Sequence, residues 1–287
     1  MKEVTIVTDT TACIPQEQVM KYGIEVVPVE LILEDKAYRD GIDISPPDFY
    51  SLLKQAKKLP STSTSSPDPY LEAYHRASRQ TRSTLCLTEP ARFSAMFNSA
   101  LVARDIAKTT LPNVIIEVLE CTTAAAGQGL VALASARAAS SGKTLSEVIE
   151  TASNTMSRMN LFATLDTLHY LVRSGRVPQA AALVNSLLKI KPVFTIEQGD
   201  AHTVALPRTT KSAVNYMLKM MGQKAVKGQP LHVAVMHADA LDKASALENQ
   251  IASQFNCAEL FIAEFTPVMG VHTGPGLLGA AFYSGDM

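Results

Sequence analysis

STLCLTEPARFSAMFNSALVARDIAKTTLPNVIIEVLE, residues 83–120, carries two short runs of β-formers, STLCLT and NVIIEVL, separated by an amphipathic segment of helical length. Two strands joined through such a crossover lie parallel, because a tight hairpin would leave no room for the helix. The same alternation extends toward the N-terminus, with VTIVT (4–8) and EVVPVELIL (25–33) as further strands. PQEQVMKYG, SPPDFYSLLKQAKK and PDPYLEAYHRASRQ read as the helices between them. This predicts a parallel sheet covered by helices on both faces, with any ligand beyond the carboxyl ends of the strands.

After Gly142 the pattern changes. Helices are expected near 144–158 and 178–189, then VFTIE and AHTVALP as a hairpin around QGD, then strands in LHVAVMHA, AELFIAEF and LLGAAFYS. This is a second α/β layer of mixed character. The boundary is expected near residue 160, dividing the chain into 1–160 and 161–287, and no Pro/Gly linker marks it, so the halves should pack and share a cleft.

The 287 residues are 47% hydrophobic, enough for substantial cores, and 26 Lys and Arg stand against 27 Asp and Glu without a long block of either sign. That balance argues against a nucleic-acid footprint. No apolar run is long enough to cross a bilayer, and MKEVTIVTDT lacks the pattern of an export signal, so a cytoplasmic protein is expected. Cys13, Cys86, Cys121 and Cys257 form no CxxC pair and read as reduced core residues, with neither a metal site nor a cofactor implied.

Three strand ends carry hydroxyls or carboxylates: Thr8 to Thr11 with Asp9 and Thr10, Thr88 to Ser94, and Glu120 to Thr123. Each can cap a helix, and in a parallel sheet all three converge on one edge. LPSTSTSSPDPYLEAY (59–74) crowds more hydroxyls into a loop. Ser66 before Pro67 suits a helix cap, which leaves Ser61, Thr62, Ser63 and Thr64 to donate hydrogen bonds to an anionic oxygen. VHTGPG (271–276) sets His272 and Thr273 before a glycine turn, where backbone can approach a ligand closely.

Together these residues resemble the DegV family. VTDTTACIP (7–15), YRDGIDISPPDFYSLL (38–53), PSTSTSSP (60–67), FSAMFNSA (93–100), YLVRSGRV (170–177), KIKPVFTIEQGD (189–200) and VHTGPG follow the family's motifs in its order. The resemblance implies a two-domain α/β fold, a three-layer N-terminal domain with a parallel sheet and a two-layer C-terminal domain with a mixed sheet. A long-chain fatty acid would lie between them, its carboxylate held by Thr62, Ser63, Ser94 and His272, with Thr273, Asp9 and Thr10 as further ligand-binding residues. It also implies a soluble, monomeric carrier, not itself an enzyme, that presents the carboxylate to the catalytic subunit of a fatty acid kinase for conversion to acyl phosphate in phospholipid synthesis. Arg173, Arg176 and Arg208 would then meet the kinase.

The sequence departs from the family's pattern around Ser94: Ala95-Met96-Phe97 replaces a glycine and a hydroxyl, and Glu120-Cys121 stands where Asp-Ser is common. Glu89 enters a loop that is usually small and hydroxyl-rich, where, pointing inward, it would repel a carboxylate. Two other readings compete: an acyl transferase or esterase with Ser94 as nucleophile and His272 as base, and a lipid sensor without catalysis. Ser94 lies in RFSAM rather than a GxSxG elbow, and no orienting acid is evident.

Overall fold

The computed structural model describes residues 2–63, 66–184 and 190–285. Four strands, β1 (Val4–Asp9), β2 (Glu25–Val27), β6 (Ser83–Thr88) and β7 (Ile115–Glu120), form an all-parallel sheet in the order β2-β1-β6-β7. Helices α3 (Asp68–Ser78) and α4 (Met96–Thr110) cover one face, and α1 (Gln16–Tyr22), α5 (Ala126–Ser140) and α6 (Leu145–Arg158) lie on the other side. β1 and β6 are buried throughout apart from half-buried Ser83, as strands covered on both faces must be.

The second sheet runs β10-β9-β8-β13-β11-β12. It comprises β8 (Asn160–Thr164), β9 (Val193–Glu197), β10 (Asp200–Ala205), β11 (Leu231–His237), β12 (Cys257–Glu264) and β13 (Leu278–Ser284). β11 and β12 pair parallel and every other pair is antiparallel, the mixed character expected from sequence. Alternation along β8 splits its side chains. Phe162 faces a core closed by α9 (Thr210–Lys224) and α10 (Leu241–Gln254), while Leu161 and Ala163 share a core with Leu130 and Ala134 of α5.

Helix α5 joins the two sheets. All but two of its residues are buried, and it touches β1 and β6 on one side and β11 and β13 on the other. A helix apolar all round belongs in an interior. Arg137 anchors it: Nη1 donates to Glu259 at 2.9 Å and Nη2 to the Tyr283 hydroxyl at 3.0 Å, while Glu259 also pairs with fully buried His232. His232 is therefore part of the frame.

Two expectations needed revision. EVVPVELIL is not one strand: the chain breaks at Pro28, so β2 joins the parallel sheet and β3 (Glu30–Leu33) starts a small antiparallel one with β4 (Lys36–Arg39). The hydroxyl-rich loop is also partly a strand, β5 (Ser61–Ser63), which pairs with β3 so that Thr62 lies opposite Leu31. Thr64 lies outside the described residues. Of the helix expected at 178–189, α8 (Gln179–Val184) is described and residues 185–189 are not. The remaining helices are α2 (Pro46–Leu53), α7 (His169–Ser174) and α11 (Pro267–Thr273).

Candidate functional site

Between the sheets lies a cavity of about 130 Å³. Its floor is the inward face of the mixed sheet, with Leu161 and Ala163 of β8, Phe194 of β9 and Met236 of β11. Its roof comes from loops at the carboxyl ends of the parallel strands, Glu89 and Phe93 after β6 and Ala124 and Ala125 after β7. Short side chains at Ala124, Ala125, Ala163 and Ala201 leave the volume open. Among the described residues, Glu89, Arg176, Thr195, His272 and Thr273 are the polar members of a lining that is otherwise apolar.

At one end the cavity shares Arg176 and His272 with a second, polar hollow, also lined by Ser61, Thr62, Tyr170 and Arg173. Arg176 and His272 thus form the neck between an apolar chamber and a polar vestibule. Gly175, in the left-handed conformation, ends α7 and turns the chain toward the neck. The Arg176 guanidinium then donates from Nε to the Phe93 carbonyl at 3.3 Å and from Nη1 to the Ser174 carbonyl at 2.6 Å. A guanidinium has five N–H groups, so donors remain for a ligand.

His272 lies in the last turn of α11, a helix fixed from three directions. The Asp40 carboxylate accepts from the Val268 N–H at 3.3 Å, the Tyr50 hydroxyl donates to the Phe265 carbonyl at 3.3 Å, and the Thr266 hydroxyl donates to the Thr10 carbonyl at 3.1 Å. Gly274 and Gly276 follow at φ 65° and 89°, packed so closely on Tyr170 and Asp166 that a β-carbon would overlap either side chain. The HTGPG turn is therefore sterically required. Burial, with Arg176 adding to it, holds the His272 pKa down at about 4, so its imidazole is neutral at neutral pH. Its Nδ1 is buried without a hydrogen-bond partner among the described residues. A buried polar atom left unpaired beside a void suits a ligand's polar end.

A family model described as "Uncharacterised protein, DegV family" matches residues 3–285. The chain belongs to the DegV family. A DegV domain-containing protein of Streptomyces coelicolor is 32% identical over 285 residues, covering 99% of each chain. A DegV family protein from Thermus thermophilus, described as binding fatty acid, has a TM-score of 0.90 at 27% identity over 98% of this chain and 99% of its own. Bacillus subtilis DegV, described as a fatty acid binding protein, has a TM-score of 0.88 over 99% of this chain and 100% of its own; at 24% identity that likeness speaks for the fold.

The residues that the DegV resemblance singled out do not all meet. His272 and Thr62 line the vestibule, and Thr273 lines the cavity, although its hydroxyl donates back to the Met269 carbonyl at 3.1 Å. Ser63, the next residue of β5, lines a different hollow with Val29 and Tyr70, because successive strand residues face opposite ways. Asp9 lies outside both voids: burial raises its pKa, and its carboxyl accepts from the Thr11 N–H and the Tyr70 hydroxyl, both at 3.0 Å. Thr10 accepts from the Val29 N–H at 3.2 Å, bracing the start of β3.

Ser94 also lines neither void. Its hydroxyl oxygen accepts from the Met96 N–H at 3.3 Å, at the start of α4, and the hydroxyl hydrogen-bonds the Glu89 carboxyl. Arg176 is half-buried at the neck instead of standing on an outer face, whereas Arg173 and Arg208 are exposed. Sequence reasoning left the direction of Glu89 open. The residue is buried at 7% exposure and points into the cavity, and burial together with like-charged Asp9 pushes its pKa up to about 8.

Proposed function

We propose that this chain is a cytoplasmic carrier that buries the hydrocarbon of a long-chain fatty acid between its two sheets and holds the carboxyl end at the Arg176–His272 neck. The observation that carries this reading is the junction itself, where a nearly all-apolar chamber opens through two polar side chains into a polar vestibule. Each buried methylene contributes about 0.8 kcal/mol, so the tail sets affinity. Hydrogen bonds to a charged head add roughly 1.5 to 3 kcal/mol each and fix its orientation. The spare N–H groups of Arg176 and the unpaired His272 ring supply them.

In this reading the vestibule is where a separate kinase subunit reaches the carboxylate and converts it to an acyl phosphate, with Arg173 at the docking edge and Arg208 on the outer surface. The chain acts as a monomeric binding subunit and performs no catalysis alone. Ser94 does not serve as a nucleophile, since its hydroxyl is committed to Glu89 and the start of α4. Denaturing the purified protein, extracting it with solvent and identifying released lipid by mass spectrometry tests the proposal. Close to one fatty acid per chain is expected. Absence of acyl lipid, even after incubation with a fatty acid, would overturn it.

A further inference from the structure

Glu89 is a polar cavity residue to which the carrier reading gives no role. It follows β6 and faces the void from the roof. The groups around it come from five elements. Asp9, at the end of β1, is already occupied by Thr11 and Tyr70. Ser94 binds it from the start of α4, and Arg176, beyond α7, is the cation acting on it. His272, on α11, is neutral at neutral pH. Glu120, at the end of β7, accepts from the Ala91 N–H at 2.7 Å, and Arg92 is turned away to pair with Asp200. A fatty acid carboxylate arriving at the neck would put a second carboxyl into a buried site where, among the described residues, Arg176 is the cation acting on Glu89. Two such carboxyls sharing a low-dielectric site do not both ionise.

We propose that Glu89 sets which head groups the cavity accepts: a fatty acid binds with one proton shared between its own carboxyl and Glu89, so that a carboxylic acid and a carboxylate lie together beside Arg176. This inference rests on the carrier reading. At neutral pH the free protein already holds the proton, because the Glu89 pKa is pushed up to about 8, and the ligand enters as its anion. Above that pH, each molecule of fatty acid bound takes up one proton from solvent, which forms the O–H bond of the shared pair. An uncharged head that donates a hydrogen bond, such as a fatty alcohol, satisfies an ionised Glu89 equally well, so alcohol binding is independent of this proton.

The test is equilibrium dialysis of radiolabelled dodecanoate and dodecanol against wild type and Glu89→Gln at pH 7 and pH 9. For wild type the dodecanoate Kd should rise about tenfold between the two, as proton linkage to a group titrating near pH 8 requires, and the dodecanol Kd should change by less than about twofold. Glu89→Gln should hold dodecanoate with less than about a twofold change over the same range. Equal dodecanoate affinity of wild type at both pH values, an equal loss for acid and alcohol, or a loss in Glu89→Gln matching that of wild type would each overturn the inference. If the variant does not fold, the comparison of acid with alcohol in wild type decides alone. Failure of both ligands to bind at either pH would instead sink the carrier reading.

Discussion

Asp9 and Glu89 stand at the carboxyl ends of neighbouring strands in one parallel sheet, and both are buried. Their surroundings set them apart. Asp9 is ringed by donors, with the Thr11 N–H and hydroxyl on one oxygen and the Tyr70 hydroxyl on the other, and it lines neither the cavity nor the vestibule. Glu89 has the Ser94 hydroxyl and, beyond it, open space. Position at a strand end therefore does not separate a carboxyl that builds the frame from one that faces a ligand; the number of donors already in place does.

The sharpest way to break this contrast is to truncate each carboxyl. Asp9→Ala should destabilise the fold by about 3 to 4 kcal/mol in urea denaturation, because Tyr70 and Thr11 would be left with unpaired buried groups. Glu89→Gln should do the opposite above pH 4.5. In the unfolded chain Glu89 ionises near its ordinary 4.5, and in the folded chain near 8, so the folded state holds the extra proton between those values. Its contribution is intact below pH 4.5 and is lost as pH rises toward 8. The variant should therefore equal wild type near pH 4.5 and exceed it at pH 7 by on the order of 3 kcal/mol, read from paired urea curves. His272 works in reverse, costing stability as pH falls from 6.5 to about 4, and it cancels in the wild-type-minus-variant difference.

The same contrast between frame and site applies to smaller effects on binding. Ala163→Phe should fill the chamber and weaken dodecanoate binding by about a hundredfold in a dialysis assay, equivalent to about 2.7 kcal/mol. Thr62→Ala should weaken it about fivefold through one lost head-group hydrogen bond, while Ser63→Ala, on the other face of β5, should leave it unchanged. Equal losses from both would show that β5 acts through its backbone and not through the side chain at the vestibule.

The parallel strands β1, β6 and β7 were legible because each is a run of β-formers bounded by polar or turn residues, and the QGD hairpin because Gly199 takes the positive φ that the turn requires. β5 was not, since Ser-Thr-Ser carries no apolar alternation and becomes a strand only by pairing with β3. The β3–β4 turn hides similarly: Glu34 and Asp35 adopt positive φ without the glycine that usually announces it. In the site, the HTGPG residues and Thr62 could be picked out from the sequence. The inward turn of Arg176 and the direction of Glu89 could not, because both depend on how loops from one sheet close over the face of the other.

The central claim is that the acyl chain occupies the chamber tail-inward from the neck. Crystals grown with 12-bromododecanoate would test it through the anomalous signal of bromine. The account predicts one peak per chain among Leu161, Ala163, Phe194 and Met236, deep in the cavity. A peak in the vestibule beside Thr62 and Arg173, or on the outer surface, would contradict it.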